Sequence, residues 1–363
     1  MFKVDSILRG AGGWFLRSGI QEPGGGVARY YRTDVGKNAQ VSTEITGYAV
    51  STLLYLAERT GDESYRESGV RAARFLTRRA WNPALATFPF EHSDNCERPK
   101  ALAYFFDCGI IVRGLLAAWR STSEQEFLDT AVAAGRSMIA DFESGTAIHP
   151  ILRLPDKAVV EYELRWSAMP GCYQLKAASA WHDLFAATGE RCFDVAYERA
   201  VDRALCSEAE FLPGGVDREK VMDRLHAYCY FLEGLLPCAG RPDCSRTIEA
   251  GMQKTAAYLD DIAPEFARSD VYAQLLRMRL YGARFAGVFV DEGRAAFEAA
   301  RVAEFQSTGK ETCATRGGFM FGRRGGEMLP FVNPVSTAFC LQALALWSDY
   351  QSGTLQVDWH TLI

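Results

Sequence analysis

The sequence predicts an all-α fold, an (α/α)6 toroid of six helical hairpins in one domain spanning residues 1–363. Small β pieces are expected in long loops on one face. Three observations predict this: a hairpin-sized pattern that recurs along the chain, a contrast between the two helices of each copy, and an alternation of short and long connections.

The first copy, TGYAVSTLLYLAERTGDESYRESGVRAARFL at 46–76, recurs as CGIIVRGLLAAWRSTSEQEFLDTAVAAGRSMI at 108–139. An offset of 62 lays Gly47 on Gly109, Leu53-Leu54 on Leu115-Leu116, and Tyr65 on Phe127. Further copies run over 172–205, where ATGERCF echoes RTGDESY, over 225–259, where EGLL repeats RGLL, and over 270–305. A sixth begins at 334–351 and has no second helix after it, so 4–17 (VDSILRGAGGWFLR) is the expected partner that closes the ring. In each copy a nearly all-apolar helix precedes an amphipathic one. The first must be buried on most sides and the second must pack outside it.

Turns within hairpins are short (TGDES, STSEQ, TGER, GRPDC, FVDEG), whereas 18–42, 80–100, 144–170, 206–223 and 307–333 are long. In an up-down ring the long segments share the face where the inner helices begin. Connections of this length in a compact domain are commonly functional. They hold Phe88, Phe90, Trp166, Phe319 and Phe321, and short β pieces are expected at 25–31 and 317–322.

Composition narrows the function. Apolar residues make up 48% and charged residues 23% of a chain long enough to bury a core unaided. A formal charge of −5 argues against a nucleic-acid partner. Ten cysteines without a CxxC pair suit a reducing compartment, and the N-terminal stretch shows neither signal peptide nor membrane span, so the expected location is cytoplasmic. There is no P-loop, dinucleotide fingerprint, HExxH or GxSxG, and no cofactor is expected. The GGG at 24–26 lacks a strand–helix context and reads as a turn. Glu91, His92 and Asp94 make an acidic loop cluster that reads as solvated; no metal is expected. Prenyl chemistry lacks its DxDD, DDxxD or QxxxGxW motifs, and a zinc peptide cyclase would need a Cys-His cluster that is not visible.

With GGVARYYRTD (25–34), STEITGYAVSTLLYLAERTGD (42–62), FFDCGIIVRGLLAAW (105–119), YQLKAASAWHDLFAATGE (173–190), DRLHAYCYFLEGLL (223–236) and GGFMFG (317–322), essentially the whole chain resembles the six-hairpin toroids of carbohydrate-active proteins. These include unsaturated uronyl hydrolases, acylglucosamine epimerases, uronyl 5-epimerases and a polysaccharide-associated bacterial branch. The resemblance implies a carbohydrate ligand. It supports hydrolysis through Asp107, because uronyl hydrolases carry an aspartate early in an inner helix. It lowers epimerisation, because the paired helical histidines of those enzymes are matched only at His226.

Asp107 is the first catalytic candidate: a lone carboxylate in AYFFDCGII needs a partner or a raised pKa, as a glycosidic proton donor does. Its plainer reading is a helix cap or an internal hydrogen bond. Glu44 is second; Ser42 is the natural cap there, and an acid in the first turn also suits the helix dipole. His226, read as lying at the start of the fourth inner helix, is a candidate base or sugar ligand, with a structural histidine the equal alternative. His182 reads as core. Gln174, Lys176 and Gln274 are candidate hydroxyl and carboxylate ligands. Trp166, Tyr30, Tyr48 and Tyr228 are candidate stacking surfaces, weighed against core packing. Converging helix N-termini and the loop arginines Arg165, Arg316, Arg323 and Arg324 favour an anionic ligand, although exposed arginines are common. The expected function is hydrolysis of a uronate-containing glycan. Epimerisation or elimination of a uronate, or non-catalytic glycan binding, are the alternatives.

Overall fold

The computed structural model describes residues 4–91, 101–307 and 312–363. Twelve α-helices account for most of them. Two compact units emerge: 21–29 with 40–209, and 1–20 with 30–39 and 210–363. The terminal unit contributes α1 (Val4–Arg17). The central unit carries α2 (Thr43–Thr60), α3 (Glu63–Phe75), α4 (Phe105–Thr122), α5 (Gln125–Ser137) and α6 (Leu175–Thr188), followed by α7 (Arg191–Phe211). The terminal unit continues with α8 (Arg218–Gly234), α9 (Pro242–Ile262), α10 (Ser269–Phe285), α11 (Glu292–Ala303) and α12 (Pro334–Gln351). No helix among the described residues is long and apolar enough to cross a membrane.

In the central unit the first helices of successive hairpins, α2, α4 and α6, pack side by side, with α3 on α2 and α5 on α4. The repeated glycines make this contact close. A Cβ at Gly109 would lie 2.4 Å from the carbonyl oxygen of Ala177, and one at Gly114 would lie 2.6 Å from that of Gly47. Gly109→Val is therefore expected to force α4 off α6 and to cost about 3 kcal/mol, read as a lower urea midpoint at unchanged m-value.

The hairpin turns repeat as the sequence does. Gly61, Ser123 and Gly189 each hold the left-handed conformation, with φ of 70°, 61° and 73°. Each donates its N–H back to the helix, to Ala57, Trp119 and Phe185, and so closes the final turn. A threonine hydroxyl, on Thr60, Thr122 or Thr188, then accepts the N–H two residues on. The 62-residue offset extends to the ends of α3 and α5, where π-helical turns cover Leu76–Ala80 and Met138–Phe142.

In the terminal unit α10 lies between α8 and α12, with α9 and α11 alongside. α1 packs on α12 and is the expected partner of the sixth hairpin; its Trp14 Nε1 donates to the Ala314 carbonyl at 2.7 Å. The chain enters the fourth hairpin earlier than the sequence suggested. α7 continues to Phe211 and α8 begins at Arg218, so most of 206–223 is helix. Asp217 caps α8 by accepting from the N–H groups of Glu219 and Lys220. This polar first turn looks like loop in sequence but is stabilised locally.

Short antiparallel strands lead into the first helices. Val41–Ser42 pairs with Val27–Ala28 and enters α2, while Leu102–Tyr104 pairs with Ile151–Arg153 and enters α4. Phe266–Arg268 pairs with Gly322–Arg324 and enters α10. Phe331–Val332 pairs with Tyr31–Arg32 just before α12. Each strand fixes where a helix begins and, for α2, α4 and α10, where its first-turn acid stands.

Candidate functional site

Ser42 has β geometry and its hydroxyl accepts from the Ile45 N–H, which starts α2 and sets Glu44 in the first turn. Tyr104, also extended, ends its strand and starts α4, which sets Asp107 in the first turn of the neighbouring helix. These two acids interact. Burial and the negative charge of Glu44 push the Asp107 carboxyl well above the usual range, and Arg29 opposes this. Burial raises Glu44 to about 7, again against the pull of Arg29. Asp107 is 4% exposed, and its buried Oδ2 has no hydrogen-bond partner among the described residues. A carboxylate in that condition holds its proton, and a partly accessible one beside it with a guanidinium nearby releases its proton first.

The surroundings combine aromatic rings with cations. Arg29 stands 4.3 Å from the centre of the Phe90 ring and 3.3 Å from Glu91. Phe90 packs on Tyr104 at 4.7 Å. Burial and then Asp107 raise the Tyr104 hydroxyl, while Arg165, hydrogen-bonded to it, pulls the other way. Trp166 meets Tyr173 edge-on at 5.0 Å, and Tyr173 also senses the charge of Asp107. Asp107, Glu44, Arg165 and Trp166 thus belong to one cluster, together with Arg29, Tyr104 and Tyr173, which the sequence reading did not select. Arg29 sits between glycines and tyrosines in an unremarkable β piece, and only its pairing with 41–42 brings it to the acids.

The terminal unit holds a second polar cluster. His226 Nδ1 lies 2.8 Å from Gln274 Oε1, and the Gln274 amide nitrogen donates to the His226 carbonyl at 3.4 Å. Because Oε1 only accepts, Nδ1 carries the proton and Nε2 keeps its lone pair. Burial lowers His226 to about 4, although Asp270, 3.5 Å from Nδ1, opposes the shift. Arg268 grips Asp270 through Nε and Nη2 at 3.0 and 2.7 Å and reaches Asp223 at 2.8 Å. Burial would raise Asp270, but Arg268 and His226 outweigh it and hold the carboxyl below its usual value. Asp270 occupies the first turn of α10, as Glu44 and Asp107 do in theirs. That positional match is the signal that could have found it.

Several expectations are corrected. His226 is not at the start of α8 but two turns inside it, because the capped turn at Asp217 precedes it. Gln174 is occupied by backbone: its Oε1 accepts from the Gly171 N–H and its amide donates to Ile148, both at 3.0 Å. Gln274 is fully buried and engaged with His226. Tyr228 is 1% exposed and packs on Phe211 and under Lys254, so it is core rather than a stacking platform. Tyr48 and Lys176 are buried, and Tyr30 packs on Phe331. Arg323 and Arg324 pair with Glu304 and Glu219, and Arg316 is exposed. His182, read as core, packs on Tyr197 but is only half-buried. His92 and Asp94 of the acidic loop lie outside the described residues.

No family profile matches the chain, and no curated protein matches it in sequence. Solved structures do match in shape. Cellobiose 2-epimerase from Spirochaeta thermophila DSM 6192 superposes with a TM-score of 0.73 at 16% identity, over 96% of this chain and 97% of that one. A sugar epimerase from a ruminal bacterium gives 0.70 at 10% identity, over 95% and 99%. The unsaturated glucuronyl hydrolase of Bacillus sp. GL1, responsible for the degradation of glycosaminoglycan, gives 0.67 at 13% identity, over 97% of each chain. These likenesses establish the fold as an all-α (α/α)6 toroid of six helical hairpins.

Proposed function

We propose that this chain is a carbohydrate-active enzyme that cleaves a glycosidic bond in an acidic, uronate-bearing oligo- or polysaccharide, using Asp107 as general acid and Glu44 as its base. The observation that carries this reading is the pair of interacting acids in the first turns of α2 and α4, with one buried carboxyl oxygen of Asp107 left unpartnered among the described residues. Asp107, whose carboxyl holds its proton above the usual carboxylate range, gives that proton to the glycosidic oxygen as the C–O bond breaks. Glu44, ionised above about pH 7, takes the proton from the attacking water. Arg29 and Arg165 supply the guanidinium forks that suit a uronate carboxylate. Solved structures named for sugar epimerases and a glucuronyl hydrolase share the fold, which supports the substrate class by analogy. The free cysteines among the described residues suit the cytoplasmic location we assign.

The test is to incubate the protein with uronate-terminated oligosaccharides and to measure new reducing ends. Release that falls as the pH drops below about 7, where Glu44 takes up its proton, supports the assignment. Saturable binding without turnover would instead make the chain a glycan-binding protein. Proton abstraction is the second reading, favoured by the lone pair that the Gln274 contact leaves on His226 Nε2. It predicts deuterium uptake from heavy water without new reducing ends. A conjugate acid held near pH 4 makes His226 a weak base for that step.

A further inference from the structure

The central unit carries a second surface suited to an acidic glycan. α3 and its π-helical turn present Arg71, Arg74, Arg78 and Arg79 to a groove of about 340 Å³ whose floor includes Phe75. Arg79 is also a wall of an adjoining hollow of about 600 Å³, lined further on by Trp81 and Asn82. Arg74 pairs with Glu124 at 2.9 Å and Arg78 with Glu126 at 2.8 Å. Arg71 is held by neutral groups, the Gln21 side-chain oxygen and the Ser68 hydroxyl. Arg79 has no hydrogen bond or ion pair among the described residues. Four guanidiniums therefore face two carboxylates, which leaves a local excess of positive charge on a chain whose formal charge is −5.

The glycine turn keeps the groove open. A Cβ at Gly24 would lie 3.1 Å from Nη1 of Arg79 and would crowd the guanidinium. Gly25, at φ 100°, brings the backbone so close to α3 that a Cβ would meet the Arg71 carbonyl at 2.5 Å. The π-helical turn adds the residue that carries the arginine stripe on to Arg79 and hands it to Trp81. Trp81 is half-buried, with one side against Phe88 at 4.8 Å.

We infer that these adjoining hollows form a distal binding site for an acidic oligosaccharide: Arg71 and Arg79 take carboxylates as bidentate partners, and Trp81 stacks on a sugar ring. The inference deepens the acidic-glycan reading and rests on it for the choice of ligand. Pro89, on the wall of the larger hollow, accepts from the Thr43 hydroxyl at 2.7 Å and precedes Phe90, the ring beside Arg29. A chain held here leads toward the acid pair.

The experiment is calorimetric titration of the full chain with a uronate hexasaccharide, with a neutral glucose hexasaccharide and inorganic phosphate as separate probes. Each is run on Asp107→Asn, to prevent turnover, and on Asp107→Asn carrying Arg79→Gln with Trp81→Ala. The uronate hexasaccharide is expected to bind and to lose about tenfold in affinity in the triple variant, with a shallower salt dependence; the neutral sugar should bind at least as weakly as it does there. Unchanged affinity in the triple variant, at a thermal midpoint showing it folded, overturns the inference, as does binding of phosphate without the hexasaccharide. Loss of binding in the triple variant from a protein that never turns substrate over would retain the site and reject the hydrolase.

Discussion

Asp107→Asn is expected to reduce turnover by roughly 10³-fold, the range spanned by a positioned general acid, while making the folded protein more stable at alkaline pH. The two effects have one cause. Asp107 has a buried, unpartnered oxygen next to a second acid, so its ionised form is poorly solvated and repelled. An asparagine keeps the shape and removes the charge. The sign of the pH dependence follows from linkage. Glu44, ordinarily at 4.5, is raised to about 7 in the folded chain, and Asp107 is raised in the same direction. Groups raised in this way stabilise fully below their unfolded pKa, and their contribution is lost as pH rises through the folded value. The wild type should therefore lose stability from these acids on passing from pH 5 to pH 9, and Asp107→Asn should recover roughly 2 kcal/mol of it at the alkaline end. Thermal midpoints of the two proteins across that range should diverge with pH. Parallel curves, or a variant that is less stable throughout, would remove the basis for calling this pair a proton donor and acceptor. His226 has the opposite sign: its pKa falls from 6.5 to about 4, so its contribution is present above 6.5 and lost as pH falls through 4. The two trends place the most stable conditions between them.

The hairpins were legible because each repeat carries its own local chemistry. Gly47 and Gly109 coincide in sequence because both relieve a helix–helix contact. Gly61, Ser123 and Gly189 coincide because one left-handed residue ends each first helix. The partner of the sixth hairpin was inferred from the copy that lacked a second helix, and α1 does pack on α12. Within the candidate site, Asp107 was readable as a carboxylate among apolar neighbours and Glu44 as an acid in a first turn capped by Ser42. Arg29 and Arg268 were not, since each acquires meaning only from the acid that strand pairing places beside it. Gln174, Gln274 and Tyr228 show the converse. Their residue types suit sugar contacts, but an amide or ring has no periodicity to reveal that a backbone carbonyl, a histidine or a core already occupies it. The start of α8 was misplaced because Asp217–Lys220 are polar, and polarity marks a capped helix start as readily as a loop.

Arg277→Leu is expected to cost about 3–5 kcal/mol, the loss seen when one partner of a buried ion pair is removed. Arg277 is wholly buried and binds Glu233, equally buried, through Nη2. Its Nη1 donates to Gln342 Oε1 and to the Ile363 carbonyl, each at 3.0 Å, and its guanidinium lies 4.0 Å from the centre of the Phe339 ring. One side chain thus ties α10 to α8 and α12, much as Asp183 ties α6 to α4 through Arg113 and Arg120 at 3.0 and 2.9 Å. Replacing both charges, as in Arg277→Met with Glu233→Met, should return most of the loss, because neither ion then needs desolvating. A urea-unfolding double-mutant cycle reads the coupling; equal damage from the single and double replacements would mean that packing, not charge, holds the helices. The pair also has a positional consequence. Glu233 lies seven residues after His226, and Arg277 lies seven after Asp270, so the same faces of α8 and α10 meet at both levels. The buried ion pair therefore sets the register in which His226 meets Asp270. In Arg277→Leu the histidine should titrate closer to its ordinary 6.5, while the double variant, with helix packing restored, should keep it depressed.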